Sequence, residues 1–522
     1  MGNQPVTTRI LLRGGMVADG IGVTTRRGDV LIEDDTIASV GAIDTVPGDC
    51  DVIDLAPGSV ACPGFIDAHA HAEGPLLDHG RVDGALAQGV TTLVVGQDGE
   101  SWIGATEETA RYLNQYFAPV NGALEPLRSL TVGEYREAVS GRLTQNVAVL
   151  ASQGTIRHNL VGLAPAPLGP DERAAARQQV EDALADGAVG LSSGLDYLPS
   201  RFGSIEEVSD MARPLAEAGR PYVSHLRSYG AEVRAGLKEL VAVGQAAGIR
   251  VHASHLSGPP PEIEAAFKAA DAVGVGVSFD MYPYRKSSTI LAVLLLPPEV
   301  QAQGPARTLA ALGDPDQRAV LLAGEKFTDD YLQNLYLGCL PDDFAEFAGQ
   351  SITAAAAASD GSKPAGEWAL DLLVRTGLNV GAHLDRPELA EEYMTWLAHD
   401  DRHCTGSDGI YQGQHPHPRG YGAFSRTAGY YLAEGPETGY QQLARHLATN
   451  AADAYGLRNR GRLAPGMAAD VCVIGPGGLT DRAIYGAPET EATGVDLVMV
   501  NGVIAWKDAR PLTTGFPGRF VG

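Results

Sequence analysis

The sequence predicts an α/β fold, in which a TIM-like (β/α)8 barrel is combined with a small β-sandwich domain formed by both termini. Three observations predict this fold. Apolar and polar residues alternate near both ends, short apolar runs and helical stretches repeat in the middle, and polar side chains stand where those runs end. Repeated strand–helix units are typical of a parallel sheet, and eight such units are typical of a closed barrel. The 522 residues are enough for more than one domain.

The β-sandwich is predicted in two parts, residues 1–60 and residues 456–522. In the first part, the segments RILLRGGMVADG and RGDVLIEDDTIASVGA alternate apolar and polar residues between turns. The second part has the same pattern in GRLAPGMAADVCVIGP and VDLVMVNGVIAWKDARPL. Such alternation indicates strands with one buried face. We therefore expect the two ends of the chain to build one domain.

The barrel is predicted to span residues 61–455. Its eight candidate strands are GFIDAHAH, VTTLVVGQ, NVAVLASQG, GAVGLSSGL, PYVSHL, RVHASHL, GVSFDMYPY and HCTGSD. Helical stretches lie between them, for example at 171–186 and 230–248. The segment at about 291–400 is too long for a loop and contains helical pieces. It is predicted to be an insertion after the seventh strand and a candidate lid.

Polar side chains stand at the ends of four predicted strands. His69 and His71 end the first strand, and residues two apart on a strand point to the same side. His225 ends the fifth strand, His255 the sixth and Asp408 the eighth. Because the carboxyl ends of barrel strands form one face, these side chains are expected to converge. A single histidine is more simply a hydrogen-bonded core residue, but four imidazoles and a carboxylate together predict a zinc site.

A series of motifs resembles the amidohydrolase superfamily, and within it the N-acyl-D-amino-acid deacylase (D-aminoacylase) family. These motifs are PGFIDAHAH, GVTTLVVGQDGES, GAVGLSSGLDYLP, SHLRSYG, HASHL, FDMYPY, GSDG with HPHPRGYG, and RGRLAPGMAADVCVI. They occur in order through nearly the whole chain. The resemblance implies a hydrolase with one or two zinc ions, a TIM-like barrel and a composite β-sandwich. The residues that match the family's metal histidines are His69, His71, His225 and His255. Asp408 matches the aspartate that acts as general base and then as general acid.

The sequence departs from the family in the turn after the second strand. D-aminoacylases usually have a cysteine there as a metal ligand, whereas this chain has Asp98. A carboxylate is a harder ligand than a thiolate but can bind or bridge zinc. The fourth strand, GAVGLSSGLDY, contains no lysine that could be carboxylated to bridge the metals. Asp98 is therefore predicted to be the bridging ligand; the alternative is a turn-forming residue before Gly99.

Three further residues match substrate-side positions of the family, namely Arg419, Tyr282 and Ser288. A guanidinium suits a carboxylate because its fork can bond both oxygens. The alternative role for Arg419 is an internal salt bridge. The family's lysine two residues after the strand-six histidine is replaced by Ser257, and Lys286 is a candidate substitute. This change weakens the expectation of a standard N-acetyl-D-amino-acid substrate.

The predicted function is a zinc-dependent hydrolase of a non-peptide or D-configured amide bond. The leading form is an N-acyl-D-amino-acid deacylase that releases a carboxylic acid and a D-amino acid. Alternatives in the same superfamily are a cyclic amidase, a D-dipeptidase and a deacylase of a specialised metabolite. A catalytically inactive scaffold is the alternative from another class, but a scaffold is expected to lose metal ligands, and this chain keeps the histidine set.

Composition excludes several other classes of partner. A formal net charge of −25 would repel a phosphate backbone, so no nucleic-acid partner is expected. No apolar run reaches about 18 residues, and the N-terminus lacks the apolar core of a signal peptide. Five cysteines at wide spacings fit a reducing cytoplasm. The expected partner is a small acylated amino acid or a related amide. Assembly into a homo-oligomer is compatible with the sequence.

Overall fold

The computed structural model describes residues 8–359, 361–512 and 515–522, so the sequence prediction for residues 1–7 lies outside the described residues. The N-terminal strands of the small domain are β1 (Arg9–Val17), β2 (Arg26–Glu33), β3 (Thr36–Gly41), β4 (Cys50–Asp54) and β5 (Val60–Pro63). Those of the central part are β6 (Phe65–Asp67), β7 (Ala70–His71), β8 (Val90–Val95), β9 (Asn146–Val149), β10 (Ala151–Ser152), β11 (Leu191–Gly194), β12 (Tyr222–His225), β13 (Val251–Ala253), β14 (Val277–Met281), β15 (Ser287–Ile290), β16 (Leu335–Leu337), β17 (Gly381–Leu384), β18 (His403–Thr405) and β19 (Gly409–Ile410). The last four are β20 (Val471–Ile474), β21 (Val495–Val500), β22 (Val503–Lys507) and β23 (Arg510–Pro511).

The α-helices of the first half are α1 (Glu73–His79), α2 (Asp83–Leu86), α3 (Glu107–Tyr116), α4 (Ala118–Asn121), α5 (Val132–Val139), α6 (Gln153–Val161), α7 (Pro170–Ala185), α8 (Ile205–Ala212), α9 (Pro214–Ala218), α10 (Val233–Ala247) and α11 (Pro260–Ala272). Those of the second half are α12 (Leu291–Leu295), α13 (Pro298–Gln301), α14 (Pro305–Gly313), α15 (Pro315–Leu322), α16 (Asp329–Leu332), α17 (Ile352–Ser359), α18 (Ala365–Arg375), α19 (Glu391–Ala398), α20 (Arg419–Leu432), α21 (Pro436–Ala444) and α22 (Asn450–Tyr455). A π-helical turn, Arg445–Thr449, joins the last two.

Parallel strands close into a barrel in the order β6, β8, β9 with β10, β11, β12, β13, β14 and β18. The backbone N–H of Ala68 donates to the carbonyl of Thr405 at 3.1 Å, which joins the last strand to the first. Val189 N–H donates to Val149 O at 2.8 Å and joins β11 to β9. These strands coincide with the eight apolar runs in the sequence, and the predicted fold class is confirmed.

The apolar runs form barrel strands because both of their faces are covered. All six residues of β8 are buried, as expected for a parallel strand between the barrel interior and the surrounding helices. The helices cover the outside with one apolar face. In α10 that face includes Leu237, Leu240 and Val243, and the helix ends at Gly248 with a left-handed φ of 71°. The strand ends are thereby fixed, and their carboxyl-terminal residues reach one rim.

The small β domain is built from both ends of the chain. Its nine-stranded sheet runs β23-β22-β21-β20-β5-β1-β2-β3, with β4 paired to β1. Strand β5 joins the two halves, because it pairs parallel to β1 and antiparallel to β20. Residues from both halves share one apolar cluster that includes Leu12, Ile32, Val471 and Met499. The sheet therefore folds over a core to which the N-terminal and C-terminal strands both contribute.

A helical segment with its own small sheet stands between β14 and β18, where the sequence predicts an insertion. Strands β15, β17 and β16 form an antiparallel sheet in that order. The segment has a separate apolar core that includes Leu295, Leu335, Trp368 and Leu373. Strands β15 and β17 also carry residues that face the barrel rim, so the segment forms part of the wall around the site.

No helix in the described ranges is long and apolar enough to cross a membrane. All five cysteines lie in described parts of the chain, and none of them forms a disulfide.

Candidate metal centre and active site

Asp98 lies between two pairs of histidines. Its Oδ1 is 3.6 Å from Nε2 of His69 and 3.6 Å from Nε2 of His255. Its Oδ2 is 3.6 Å from Nε2 of His71 and 3.6 Å from Nδ1 of His225. The structure thus brings together all five residues that the sequence predicts as metal ligands, at the carboxyl ends of four barrel strands.

Three residues of the site adopt a left-handed backbone conformation. The φ angles are 56° at Asp98, 33° at His255 and 49° at Asp408. For residues with a Cβ this conformation costs about 1–3 kcal/mol and persists only where the surroundings enforce it. Aspartate tolerates it better than most residues. The turn also packs tightly, because a Cβ on Gly194 would lie 2.1 Å from the carbonyl oxygen of Asp98.

The residues fit a zinc site of one or two ions. Two candidate ligand atoms, Nε2 of His69 and Oδ1 of Asp98, are buried without a hydrogen-bond partner in the described residues. The ligand atoms of His69, His71 and Asp98 lie within 4.8 Å of one another, and so do those of Asp98, His225 and His255. Buried polar atoms are normally satisfied, so a shared set of unsatisfied nitrogen and oxygen donors indicates a cation.

Two residues that the sequence analysis missed orient the histidines. The Asp280 carboxylate accepts hydrogen bonds from Nε2 of His252 at 2.9 Å and from the backbone N–H of His255 at 2.9 Å, and it lies 3.5 Å from Nδ1 of His69. Asn121 Oδ1 accepts a 2.8 Å hydrogen bond from Nδ1 of His71. Such partners fix the ring orientation of metal-binding histidines. The sequence shows Asp280 as a polar residue in the strand-seven run but does not show its partners, whereas Asn121 lies on α4 without a sequence signal.

The carboxylates and imidazoles of the site perturb one another. Burial opposes ionisation of Asp98, but the nearby His69 and His225 outweigh it and hold the pKa of Asp98 well below its ordinary value. For His71, burial favours the neutral ring, but Asp408 and Asp98 outweigh it and raise the pKa to about 10. Asp98 therefore stays ionised although it is buried, and its charge is compensated by the groups around it.

Asp408 lies beside the first histidine pair. Its Oδ1 is 3.3 Å from Nε2 of His71 and 3.7 Å from Nε2 of His69. Its Oδ2 is 2.7 Å from Nη1 of Arg419. Burial raises the pKa of Asp408, but Arg419 and the histidines outweigh burial and lower the pKa below its ordinary value. One oxygen of this carboxylate thus faces the candidate metal ligands while the other is held by a guanidinium.

A cavity of about 210 Å³ opens above these residues. Tyr282 and Ser288, two of the three predicted substrate-binding residues, line it. Ser288 Oγ also bonds to Nδ1 of His383 at 2.9 Å. The third, Arg419, is buried beneath the wall, with its guanidinium carbon 4.6 Å from the centre of the Tyr282 ring. The structure therefore places Arg419 against Asp408 instead of in the cavity wall.

The basic residue that lines the cavity is not the one that the sequence suggested. Lys286, the candidate substitute for the family's lysine, stacks its ammonium 3.3 Å from the ring centre of Tyr336 and 4.5 Å from that of Tyr485. It does not line the cavity. Arg386, which follows β17, does line the cavity, together with Ser257. No local motif marks Arg386, because the fold of the inserted segment brings it to the site.

Comparison with known proteins shows which proteins this chain resembles. The model of the amidohydrolase family matches residues 352–505. The N-acyl-D-glutamate deacylase of Alcaligenes xylosoxydans xylosoxydans is 29% identical to this chain, over 98% of this chain and 96% of its own length. A solved structure of a D-aminoacylase with a binuclear metal centre has a TM-score of 0.81 and 28% identity, over 98% of this chain and 99% of its own.

A second solved structure is that of the N-acyl-D-glutamate deacylase from Bordetella bronchiseptica, complexed with zinc and a phosphonate inhibitor that mimics the tetrahedral intermediate. It has a TM-score of 0.81 and 27% identity, over 98% of this chain and 99% of its own. The resemblance inferred from the sequence motifs is confirmed. Residues 352–505 match the amidohydrolase family model, and over 98% of its length the chain is similar to a D-aminoacylase and to an N-acyl-D-glutamate deacylase.

Proposed function

We propose that the protein is a zinc-dependent hydrolase that cleaves the amide bond of N-acyl-D-amino acids and releases a carboxylic acid and a free D-amino acid. One observation carries the proposal. The carboxylate of Asp98 lies 3.6 Å from donor nitrogens of two histidine pairs, and a second carboxylate, Asp408, borders the same place at the floor of a cavity. The names of the full-length relatives support the choice of substrate class.

The residues that would hold zinc are His69, His71, Asp98, His225 and His255. Zinc bound there supplies Lewis acidity, which polarises a carbonyl and makes a water molecule a better nucleophile near neutral pH. Asp280 and Asn121 contact two of the imidazoles and would hold their rings in the orientation that zinc needs.

Asp408 is suited to move the proton. Its Oδ1 faces the histidines, while Arg419 holds Oδ2 at 2.7 Å and fixes the direction of the carboxylate. As water adds to the substrate carbonyl carbon, Asp408 accepts the water proton. As the C–N bond breaks, it passes that proton to the departing nitrogen. General acid–base catalysis of this kind contributes about 10²–10⁴-fold to rate.

The cavity walls suit a substrate with both polar and apolar parts. Val120, Val293, Leu294 and Leu384 provide apolar surface, and hydroxyl groups of β15 stand beside them. We assign the apolar wall to the acyl group or the amino-acid side chain. Tyr282 and Ser288 are assigned to the polar end of the substrate, and Arg419, the third sequence-based candidate, is assigned to holding Asp408.

We place the protein in the cytoplasm. The five unpaired cysteines, three of which are buried, support a reducing compartment.

The experiment compares the hydrolysis of N-acetyl-D-leucine, N-acetyl-L-leucine, a D-dipeptide and a hydantoin by purified zinc-loaded protein, with release of free amine as the readout. The expected result is cleavage of the D-configured acyl amino acid in preference to the other three compounds. Removal of zinc by a chelator should abolish cleavage, and added zinc should restore it. Equal cleavage of the L-enantiomer, or full activity after zinc removal, would overturn the proposal.

A further inference from the structure

The cavity contains one strongly basic side chain. Among the described residues that line it, Arg386 is the single lysine or arginine. The other charged residues of the wall are the carboxylates Asp98, Asp196 and Asp408. The proposed zinc site accounts for Asp98 and for the lining histidines and serves the scissile carbonyl, so a carboxylate elsewhere on the substrate needs a separate cation in this wall, on a protein with a net charge of −25.

The guanidinium of Arg386 is anchored on one side and free on the other. Its Nε donates to Oε1 of Glu388 at 2.9 Å. Within the described parts of the chain, Nη1 and Nη2 have no hydrogen-bond or ion-pair partner, and the side chain is 21% exposed. Gly230 leaves room beside it, because a Cβ at Gly230 would lie 3.2 Å from Nη2. The pair of nitrogens needed for a two-point contact with a carboxylate is therefore available.

The other basic residues around the cavity are already engaged. Arg419 is buried against Asp408, and its Nη2 donates to a backbone carbonyl of β15. The ammonium of Lys286 is stacked on two tyrosine rings. Arg285 makes two hydrogen bonds, of 2.7 and 2.8 Å, to Asp385. Arg386 is left as the cation that can meet a ligand.

We propose that Arg386 binds a carboxylate of the substrate through its Nη1–Nη2 edge. This assignment rests on the proposed function, since it concerns the same cavity. The carboxylate has two possible sources in an N-acyl-D-amino acid, the α-carboxylate and the side chain of an acidic residue. Both sources present the same planar anionic group, and it would bind at the rim formed by the loops after β12 and β17.

The experiment measures kcat and KM of Arg386→Gln on N-acetyl-D-leucine, N-acetyl-D-leucinamide and N-acetyl-D-glutamate. A charge-assisted pair lost at this site should raise KM about 10- to 100-fold while kcat changes little. If Arg386 binds the α-carboxylate, both acids lose affinity and the capped amide does not. If it binds the side-chain carboxylate, the loss is confined to the glutamate derivative. Either pattern supports the proposal.

Arg285→Gln is the matched control. It removes an equal charge next to the same loop, from a residue outside the cavity wall, and should change KM less than threefold for every substrate. The same loss for all three substrates in Arg386→Gln, or no loss for any of them, would overturn the proposal. Unchanged melting temperatures show that the variants are folded.

A binding measurement separates this proposal from the proposed function. Zinc-loaded Asp408→Asn, with and without Arg386→Gln, is titrated calorimetrically with N-acetyl-D-leucine and N-acetyl-D-glutamate. Binding of at least one acid that weakens about 10- to 100-fold on loss of Arg386 supports the carboxylate contact even if the wild-type protein cleaves neither compound. Binding of both acids that does not depend on Arg386 overturns it, whether or not the protein is an active deacylase.

Discussion

Replacing Asp280 with asparagine tests whether this buried carboxylate holds the metal-binding histidines in place. All three groups around it are donors. Oδ1 accepts the backbone N–H of His255 at 2.9 Å, while Oδ2 accepts Nε2 of His252 at 2.9 Å and lies 3.5 Å from Nδ1 of His69. Asparagine has the same shape but only one acceptor oxygen. Whichever way its amide turns, the NH2 group faces an N–H donor.

The expected loss of zinc affinity follows from the number of N–H groups around Asp280. At least one buried donor becomes unpaired, which costs about 1–3 kcal/mol. Partners of metal-binding histidines typically contribute about 10- to 100-fold to metal affinity, which is the same range in energy. We therefore expect Asp280→Asn to bind zinc about 10- to 100-fold more weakly. A larger side chain at position 280 could not restore the lost contact, because there is no room beside it. A Cβ on Gly406 would already lie 2.6 Å from Oδ1 of Asp280.

The assay is competition for zinc between the purified protein and a chromophoric chelator, with the melting temperature measured in parallel. Asp470→Asn is the control, since Asp470 is also buried, pairs with Arg460 and accepts hydrogen bonds from Asn501 N–H at 2.8 Å and Asn146 Nδ2 at 3.1 Å, but where the small β domain meets β9 and not among the histidines. It should lower the melting temperature and leave zinc affinity unchanged. Wild-type zinc affinity in Asp280→Asn, or equal losses of affinity in both variants, would refute the reasoning.

Three further predictions concern the reacting groups. Asp408→Asn should retain zinc but lose about 10²–10⁴-fold in kcat, measured at saturating substrate, because it cannot accept the water proton; near wild-type turnover would contradict its role. Asp98→Cys should keep zinc better than Asp98→Asn in the same chelator competition, because a thiolate is a good zinc ligand and a neutral amide is a poor one. Wild-type affinity in the asparagine variant would mean that Asp98 serves only the turn. Arg419→Ala should lower kcat about equally for N-acetyl-D-leucine and its amide-capped analogue, since the guanidinium holds Asp408; a loss confined to the uncapped acid would instead assign Arg419 to the carboxylate.

The barrel and its ligands could be predicted from sequence because both depend on local pattern. An apolar run that ends in a histidine is recognisable wherever it lies, and the rule that parallel strands share one carboxyl-terminal rim then brings His69, His225 and His255 together. Asp98 could be predicted in the same way, because it is the polar residue directly after the run VTTLVVGQ. Asp98 has a left-handed φ of 56°, which is typical of a turn-forming residue, and it also lies among the histidines. The two roles considered for it from the sequence are therefore compatible.

The residues that escaped prediction depend on contacts that no local pattern encodes. Asp280 lies within an apolar strand, and its importance appears only when three donors from neighbouring strands surround it. Arg386 reaches the cavity because β17 pairs with β15, more than ninety positions earlier in the chain. Arg419 was recognised by its position, but its partner Asp408 could be assigned only from the 2.7 Å contact.

The pairing of β5 with β20 has a consequence for how the protein is made. Cys62 in β5 lies opposite Cys472 in β20, so the small domain cannot close until the ribosome has synthesised the whole barrel. At about 5–20 residues per second this delay is roughly 20–80 s. During that time β5 has an open hydrogen-bonding edge of the kind that promotes association between chains. We therefore expect nascent chains stalled within the barrel to aggregate through the N-terminal strands, although the finished protein has that edge covered.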